Sequence, residues 1–208
     1  MGRLKYLADQ FGYNAPFSAS DINDASLSYE NVRKMLSRLA KSNQIARYDH
    51  GVYYIPSKTI FGPSTLNIYK VIDKKYIQTE KNVFGFVTSL AFENQIGLTT
   101  QVPATWEIVT NNEKSKRREV KVRYQKIILK KPAMEINRDN YLMLQILEYI
   151  RERDIVRFQE EKLLVLKNYI VSLKLYKNDL IKCLQYFPAK VSKRILEGGL
   201  DVLFIQNI

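Results

Sequence analysis

Cysteine and histidine are almost absent from this sequence, which contains one of each, Cys183 and His50. A single cysteine cannot form a disulfide within the chain, and the two residues together are too few for a zinc site built from cysteine and histidine. The sequence also lacks the glycine-rich phosphate-binding loop, the serine elbow and the HExxH helix that mark several classes of enzyme. We therefore expect a protein without a metal, without another cofactor and without catalytic activity.

Long apolar stretches are absent as well. No run of about 18 apolar residues occurs, so the sequence predicts no transmembrane helix. The stretch MGRLKYLADQFGYN at its beginning has neither the apolar segment nor the small-residue cleavage site of a signal peptide. These absences predict a cytoplasmic protein with no membrane partner.

Positive charge is what the sequence has in excess. The 208 residues include 33 Lys and Arg against 21 Asp and Glu, which gives a formal net charge of +12 at pH 7. An excess of this size favours a polyanionic partner. The excess is local, because residues 113–131 alone contain nine basic and two acidic side chains.

The clearest helix signal is the stretch SYENVRKMLSRLAKSN. Ser28 is a typical N-cap residue, and Asn43 is typical of the left-handed residue that follows a helix. The opposite side of this helix is polar and basic, and is free to contact a partner. The apolar residues recur with the spacing of one helix face and predict a buried stripe of Val32, Met35, Leu36 and Leu39.

A β-hairpin is predicted directly after this helix, in the stretch QIARYDHGVYYIP. Two short runs of strand-forming residues flank a three-residue Asp-His-Gly loop, in which Gly51 is expected at positive φ. Without a bulge, the register pairs Arg47 with Tyr53. The only histidine, His50, lies at the tip.

The first 60 residues have the element order of a winged helix-turn-helix: three helices followed by a hairpin. The third helix, Ser28–Ser42, would enter a major groove, and the hairpin Ile45–Ile55 would be the wing. We therefore predict a DNA-binding domain over residues 1–60.

Residues 61–208 are predicted to form a second, mixed α+β domain that is rich in helices. It would begin with a helix capped at Ser64, and the apolar spacing after Pro132 predicts four more helices. Between them we expect a helix over 86–95 and strands over 105–110, 119–124 and 126–131. The predicted fold class is thus α+β with two domains.

The polar face of the third helix and the wing carry the candidate DNA contacts. Asn can pair with adenine and Arg with guanine, whereas Lys mainly neutralises phosphates. The candidates are Ser28, Tyr29, Asn31, Lys34, Ser37, Arg38, Lys41, Arg47, His50 and Tyr53. His50 has a second interpretation as a general base, but a hairpin tip is poorly suited to hold a base, an orienting group and a nucleophile together. We therefore interpret His50 as a wing-tip residue.

The basic run KSKRREVKVRYQK is a candidate second patch for a polyanion. It contains Lys114, Lys116, Arg117, Arg118, Lys121, Arg123 and Lys126. Three interpretations stay open: the run extends the DNA footprint, it binds RNA, or it is the solvated face of a hairpin. Binding of a polyanion to such a run should weaken steeply with salt.

The same run leaves two other functions open. Glu119-Val120-Lys121 fits the short Glu-x-Lys fragment of one type of metal-dependent nuclease, with Glu107 as a second carboxylate upstream, although three such residues often occur by chance. The alternative function is therefore a nuclease with a winged-helix targeting domain. A third interpretation is an interaction module whose basic patch docks an acidic protein.

Two stretches resemble the AbiEi-type antitoxins of bacterial abortive-infection systems, which are type IV toxin–antitoxin systems. They are NVRKMLSRLAKSNQIARYDHGVYYIP and FGFVTSLAFENQIGLTTQVPATWEIVTNN, and the motifs GLTTQVP and EIVTN in the second are the more specific. The resemblance covers about residues 17–131, and no motif of the family is recognised after Pro132.

The resemblance implies a phage-defence antitoxin that represses its own operon. Its winged helix, with Ser28–Ser42 as recognition helix and Ile45–Ile55 as wing, would bind inverted repeats in the double-stranded promoter DNA, with a cooperative oligomer on that DNA as one arrangement left open. Its C-terminal domain would supply the antitoxin activity. The functional partner implied is a nucleotidyltransferase-like toxin, neutralised without a stable complex.

Overall fold

The computed structural model describes residues 2–206. Met1, Asn207 and Ile208, which the two predicted domains include, lie outside the described residues. The fold is mixed α+β, as predicted, and the chain divides after Lys75 into two compact units. The sequence had placed the division after residue 60. The difference arises because residues 61–75 pack with the first unit, where Lys74 pairs with Asp21 at 2.8 Å.

The described part of the first unit contains three α-helices, the last ending one residue past its boundary, and two small hairpins. Its helices and single 3₁₀ turn are α1 (Arg3–Phe11), the turn Ala19–Asp21, α2 (Tyr29–Lys41) and α3 (Ile68–Tyr76). Its strands are β1 (Ala46–Asp49), β2 (Val52–Tyr54), β3 (Lys58–Thr59) and β4 (Gly62–Pro63). Each hairpin is an antiparallel pair, β1 with β2 and β3 with β4.

The core of the first unit forms where α1, α2 and the first hairpin meet. Its buried side chains include Leu7, Phe17, Val32, Leu36, Ile45 and Ile55. Phe17 ties the elements together, because its ring stacks on Phe11 with centroids 4.7 Å apart and its backbone exchanges two hydrogen bonds with Tyr53 at 2.8 Å. Ile45 and Ile55, at the two ends of this hairpin, are both in that core, and they set which face of the hairpin meets α2.

The tip of the first hairpin differs from the prediction. Arg47 pairs with Tyr53 as expected, but Asp49 pairs with Val52, so Tyr48 is an extra, bulged residue and the loop is His50-Gly51 alone. The bulge places the ring of Tyr48, which is buried, edge-on against Tyr54 at 6.4 Å. Gly51 has a φ of 72°, the left-handed conformation that the turn requires.

Helix α3 also begins later than predicted. It starts at Ile68, where the side chain of Asn67 accepts a hydrogen bond from the Tyr69 N–H at 2.8 Å. The Ser64 hydroxyl, predicted as the cap, instead accepts a hydrogen bond from the Ser57 N–H at 2.9 Å. Ser64 is therefore used to close the second hairpin, which the sequence pattern did not predict.

The second unit is built around a four-stranded sheet. Its strands are β5 (Gly85–Thr88), β6 (Thr105–Thr110), β7 (Arg118–Val122) and β8 (Gln125–Lys130), in the spatial order β5-β6-β8-β7. Strand β6 runs parallel to β8 and antiparallel to β5, and β7 runs antiparallel to β8. Strand β7 therefore forms one edge of the sheet.

Up to residue 206, five α-helices and two 3₁₀ turns (Ile155–Arg157 and Asp201–Leu203) complete the second unit. The α-helices are α4 (Ser89–Gln95), α5 (Tyr141–Glu152), α6 (Glu160–Ser172), α7 (Lys177–Leu184) and α8 (Ala189–Glu197). The predicted helix over 86–95 is wrong in its first part, since Phe86, Val87 and Thr88 pair with β6 and only the rest is helical. Residues 143–150 of α5 are all buried, and this helix joins the other helices to the sheet. Among residues 2–206, no helix is both long enough and apolar enough to cross a membrane.

Candidate nucleic-acid interface

Helix α2 is anchored by its cap and by its apolar face. The Ser28 hydroxyl accepts a hydrogen bond from the Asn31 N–H at 3.3 Å, and Asn43, with a φ of 58°, lies just beyond the helix end. Val32, Met35 and Leu36 are buried, as the apolar spacing predicted, whereas Leu39, also predicted, is only partly buried against the same core. The opposite face of α2 is therefore held at the surface of the first unit.

Three cations follow one another along this exposed face. Lys34, Arg38 and Lys41 are separated by four and three residues, so they lie on one side of the helix, and all three are exposed. Within residues 2–206 none of them forms an ion pair, whereas the neighbouring Arg33 lies 3.9 Å from Glu30. Lys34, Arg38 and Lys41 are called the α2 stripe below. Their charges are uncompensated in the part of the chain that the structure describes.

The other predicted contacts on this helix are also at the surface. Ser28, Tyr29, Asn31 and Ser37 are all exposed, and 61% of the Tyr29 surface is accessible. The structure thus places all seven predicted residues of this helix where a partner can reach them.

The tip of the first hairpin brings Arg47 and His50 together. Arg47 Nη2 lies 3.2 Å from His50 Nδ1, and both side chains are exposed. Two groups able to donate hydrogen bonds to a phosphate are therefore adjacent. The histidine contacts an arginine and no serine, threonine or cysteine among the described residues, which does not resemble a nucleophile–base pair.

Asp49 fixes the shape of this tip. Its carboxylate pairs with Lys75 Nζ at 2.5 Å and accepts a hydrogen bond from the His50 N–H at 2.7 Å. Partial burial raises the pKa of Asp49, but Lys75 and the His50 N–H outweigh that effect and hold the pKa below its ordinary value. The tip is thus tied to the end of α3.

Tyr53 differs from the other candidate contacts. It is half-buried, and its ring stacks on Phe17 with centroids 6.5 Å apart. Its packing against the core of the first unit accounts for its position without a partner.

The second predicted patch is divided into two clusters in the structure. Lys114, Lys116 and Arg117 are exposed in the loop before β7, and Lys121 and Lys126 face each other across β7 and β8 near the turn that contains Arg123. About 14 Å of strand separates the two ends of β7. Tyr124, at the turn, is 78% exposed. The run is therefore a basic loop and a basic hairpin tip rather than one continuous surface.

Two cations of this run are already paired. Arg118 Nε lies 2.7 Å from the Glu113 carboxylate, and Lys126 Nζ lies 3.2 Å from Glu119. Glu113 also accepts hydrogen bonds from Ser115, and these bonds, more than Arg118, lower the pKa of Glu113 to about 2 although burial raises it. Glu113 thereby holds the basic loop in place.

The carboxylates of the nuclease interpretation do not meet. Glu119 lies on β7 and Glu107 on β6, with β8 between them, so their backbones are about 10 Å apart. Glu107 pairs with Lys130, and Glu119 pairs with Lys126. Within residues 2–206, no three His, Cys, Asp or Glu side chains are grouped so that they could hold a metal ion.

Sequence reasoning missed a largely buried group of charges. This group lies between the sheet and α5. Lys130 of β8 pairs with both Glu107 and Glu152, and Ser89 donates a hydrogen bond to Glu152 at 3.1 Å. Burial lowers the pKa of Lys130, but the two carboxylates raise it above its ordinary value. The sequence gives no signal for this group, because its members are about 20 residues apart and only the sheet register brings them together.

Residues 20–170 match DUF6088, a family of unknown function. Because this match covers more than half of the chain, the protein belongs to the DUF6088 family. No curated protein matches the chain. The family carries no assigned function, so the resemblance to AbiEi-type antitoxins stays a prediction.

Proposed function

We propose that this protein is a cytoplasmic DNA-binding autorepressor and antitoxin with no catalytic activity of its own. The observation that carries the DNA-binding part is the α2 stripe, in which Lys34, Arg38 and Lys41 are exposed and unpaired within residues 2–206. Exposed charges contribute little to the stability of a fold, so stability does not explain three cations on one helix face. On DNA, each cation that neutralises a phosphate releases counterions and thereby strengthens binding.

The dimensions of the stripe suit a major groove. From Lys34 to Lys41 the helix advances about 10 Å, and the major groove is about 12 Å wide. Asn31, exposed one turn before Lys34, adds a side chain that can pair with adenine. Helix α2 is therefore proposed as the recognition helix.

The element order supports a winged helix-turn-helix as the form of this unit. Helix α1, the turn Ala19–Asp21, α2 and the β1–β2 hairpin follow one another as in that motif, although the second helix is reduced to a single 3₁₀ turn. The hairpin would then be the wing, and Arg47 and His50 at its tip would contact phosphates beside the groove. The basic loop and hairpin tip around β7 would add non-specific attraction for a polyanion.

The biological role rests on the resemblance to AbiEi-type antitoxins. It implies binding to inverted repeats in the protein's own promoter and relief of a nucleotidyltransferase-like toxin without a stable complex. The second unit, which includes GLTTQVP and EIVTN, would supply the antitoxin activity.

A fluorescence-anisotropy titration tests the DNA-binding proposal. DNA from directly upstream of the gene is compared with scrambled DNA at about 50 and 200 mM salt. We expect a preference of about 10³-fold or more for the upstream DNA. Lys34→Ala and Arg38→Ala should each weaken binding to it by about 1–3 kcal/mol if the residue contacts a base.

Lys190→Ala is the matched control, because it removes one exposed lysine from α8 in the second unit. Its effect on affinity should be small beside that of Lys34→Ala. Equal affinity for the two DNAs would show a general attraction for polyanions and contradict repression. Unchanged binding in both α2 variants would contradict the recognition helix.

Antitoxicity is tested separately with the full-length chain. The Lys34→Ala, Arg38→Ala double variant is co-expressed with the toxin gene of the same operon, and cell growth and promoter activity are measured together. We expect repression to be lost and growth to be rescued, because the two activities would belong to different units. A variant that rescues nothing, although its fold and level match the wild type, would contradict this division.

A further inference from the structure

The second hairpin ends in two large apolar side chains that contact almost nothing. Ile60 and Phe61 form the turn between β3 and β4 and are 93% and 94% exposed. A turn is normally polar, and a single exposed apolar residue needs no explanation, but two adjacent ones at a tip form a patch that favours burial.

The hairpin that carries this tip is well fixed. The Thr59 hydroxyl donates a hydrogen bond to the Gly62 carbonyl oxygen at 2.7 Å and accepts one from the Phe61 N–H at 3.2 Å. At its base, the Asn14 side chain donates to the Ser57 hydroxyl at 2.9 Å. These bonds brace the backbone of the turn, so that binding would cost mainly the side-chain entropy of Ile60 and Phe61.

A groove of matching chemistry lies at the base of the same hairpin. It has a volume of about 540 Å³ and is lined mainly by apolar side chains, among them Leu4, Tyr13, Ile55, Pro56 and Pro63. Lys58 is the one charged residue in the lining of this groove, which belongs entirely to the described part of the first unit. The groove therefore suits an apolar insert rather than a polyanion. The molecule's own tip does not fill it, since Ile60 and Phe61 remain exposed.

We propose that a second copy of this chain fills the groove, with the Ile60-Phe61 tip of each copy inserted beside Pro56 and Pro63 of the other. A tip and its receptor groove that adjoin on one surface allow a reciprocal contact around a two-fold axis, the isologous arrangement of most dimers. The observations behind this self-association are the tip and the groove alone. It also extends the proposed function, because a symmetric dimer matches inverted repeats.

The buried area is that of a weak, transient dimer. One Phe and one Ile side chain bury on the order of 300 Å² of apolar surface. Two tips bury roughly 600 Å² and the two shallow grooves that receive them add less than that, so the total lies below about 1,200 Å², in the range of weak, transient interfaces. The dimer is therefore expected to be weak and to form at high protein concentration.

Sedimentation equilibrium of the full-length chain without DNA tests the proposal. We expect a monomer–dimer equilibrium that the Ile60→Ser, Phe61→Ser double variant weakens at least tenfold. Because both side chains are solvated, the variant should keep the wild-type melting temperature. Val202→Ser, which also removes an exposed apolar side chain, 75% accessible, should leave association unchanged.

Chemical cross-linking gives a second measurement. A Phe61→Cys copy mixed with a Tyr13→Cys copy should cross-link through a short bis-maleimide, whereas Tyr124→Cys in place of Phe61→Cys should not. Cys183 is buried and is left in place.

A chain that is monomeric at all concentrations, or a dimer that the double variant leaves intact, would overturn the proposal. If the double variant changed DNA affinity or DNA bending but not association, the tip would be a wedge for DNA and the proposal would again be wrong. Lys34→Ala must leave association without DNA unchanged, so failure of the dimer and failure of DNA recognition are distinguishable.

Discussion

Glu148 carries a charge at a position that disfavours it, and its substitution should stabilise the protein only at high pH. Its side chain is 3% exposed within α5 and pairs with Arg151 one turn away. Burial is the largest effect and raises the pKa of Glu148 to about 7, helped by the nearby Glu152 and opposed by Arg151 and Lys130. The folded protein therefore binds a proton at this carboxyl more tightly than the unfolded chain does.

The sign of the pH dependence follows from that difference. Between the ordinary carboxyl pKa of 4.5 and about 7, the folded state holds a proton that the unfolded state has lost. The free energy of unfolding consequently falls as the pH rises through this window, by about 1.4 kcal/mol per unit at most. Above pH 7 the total loss is about 3 kcal/mol.

Glu148→Gln removes this titration and keeps the size and polarity of the side chain. Its free energy of unfolding should exceed that of the wild type by up to about 3 kcal/mol at pH 8 and by less than about 1 kcal/mol at pH 5. Arg151, 31% exposed, remains in contact with solvent after its partner is neutralised. Urea unfolding followed by the fluorescence of Trp106 reports on the second unit, because this is the only tryptophan and it lies in β6.

The control is Glu197→Gln on α8, where the carboxylate is exposed and lies 3.6 Å from Lys193. Such a pair contributes about 0–1 kcal/mol, so the control should differ little from the wild type at either pH. A difference between Glu148→Gln and the wild type that is the same at pH 5 and pH 8 would refute the reasoning, since it would show that Glu148 does not titrate in this window.

Three further substitutions test other parts of the structure. Glu113→Gln weakens the bonds from Ser115 and Arg118 and should lower the free energy of unfolding by about 2 kcal/mol at pH 7, less than the full pKa difference because solvent screens the exposed part of Arg118. The pKa of Glu113 is lowered to about 2, so this stabilisation is present above pH 4.5 and is lost as the pH falls toward 2. Urea titrations at several pH values measure it. Gly85→Ala should destabilise the protein by about 3 kcal/mol or more, because the added Cβ would lie 2.0 Å from the Tyr76 carbonyl oxygen. The expected result is a lower melting temperature. Ser28→Ala removes the cap of α2 and should cost about 1 kcal/mol, whereas Ser28→Asp, which restores an acceptor, should not.

Elements whose ends and faces are set by neighbouring residues could be predicted from the sequence. The Ser28 cap and the left-handed Asn43 are as expected, three of the four predicted stripe residues of α2 are buried, and β6 spans the predicted Thr105–Thr110. In each case the deciding interaction lies within about one helical turn or one strand. The exposed positions of the predicted α2 contacts follow from the same local pattern.

Features decided by distant residues could not be predicted. Strand β5 has the continuous apolar composition of a buried helix, and only pairing with β6 makes it a strand. The ring of Tyr48, the bulged residue, packs against Tyr54, and Ser64, the predicted cap of α3, bonds to the distant Ser57 instead, so that α3 begins only after Asn67. The contact between Arg47 and His50 follows from the shorter loop that the bulge produces.

Charge arrangement, rather than charge excess, separates the two basic regions of this chain. Residues 113–131 hold most of the excess, but Arg118, Lys126 and Lys130 are engaged by carboxylates within the second unit. The α2 stripe has only three cations, yet all of them lie on one face and form no ion pair in the described part of the chain. A partner with regularly spaced phosphates gains most from the second arrangement, because each contact releases counterions without first breaking an ion pair. The region with the smaller share of the charge is therefore the one expected to set the position of the protein on DNA.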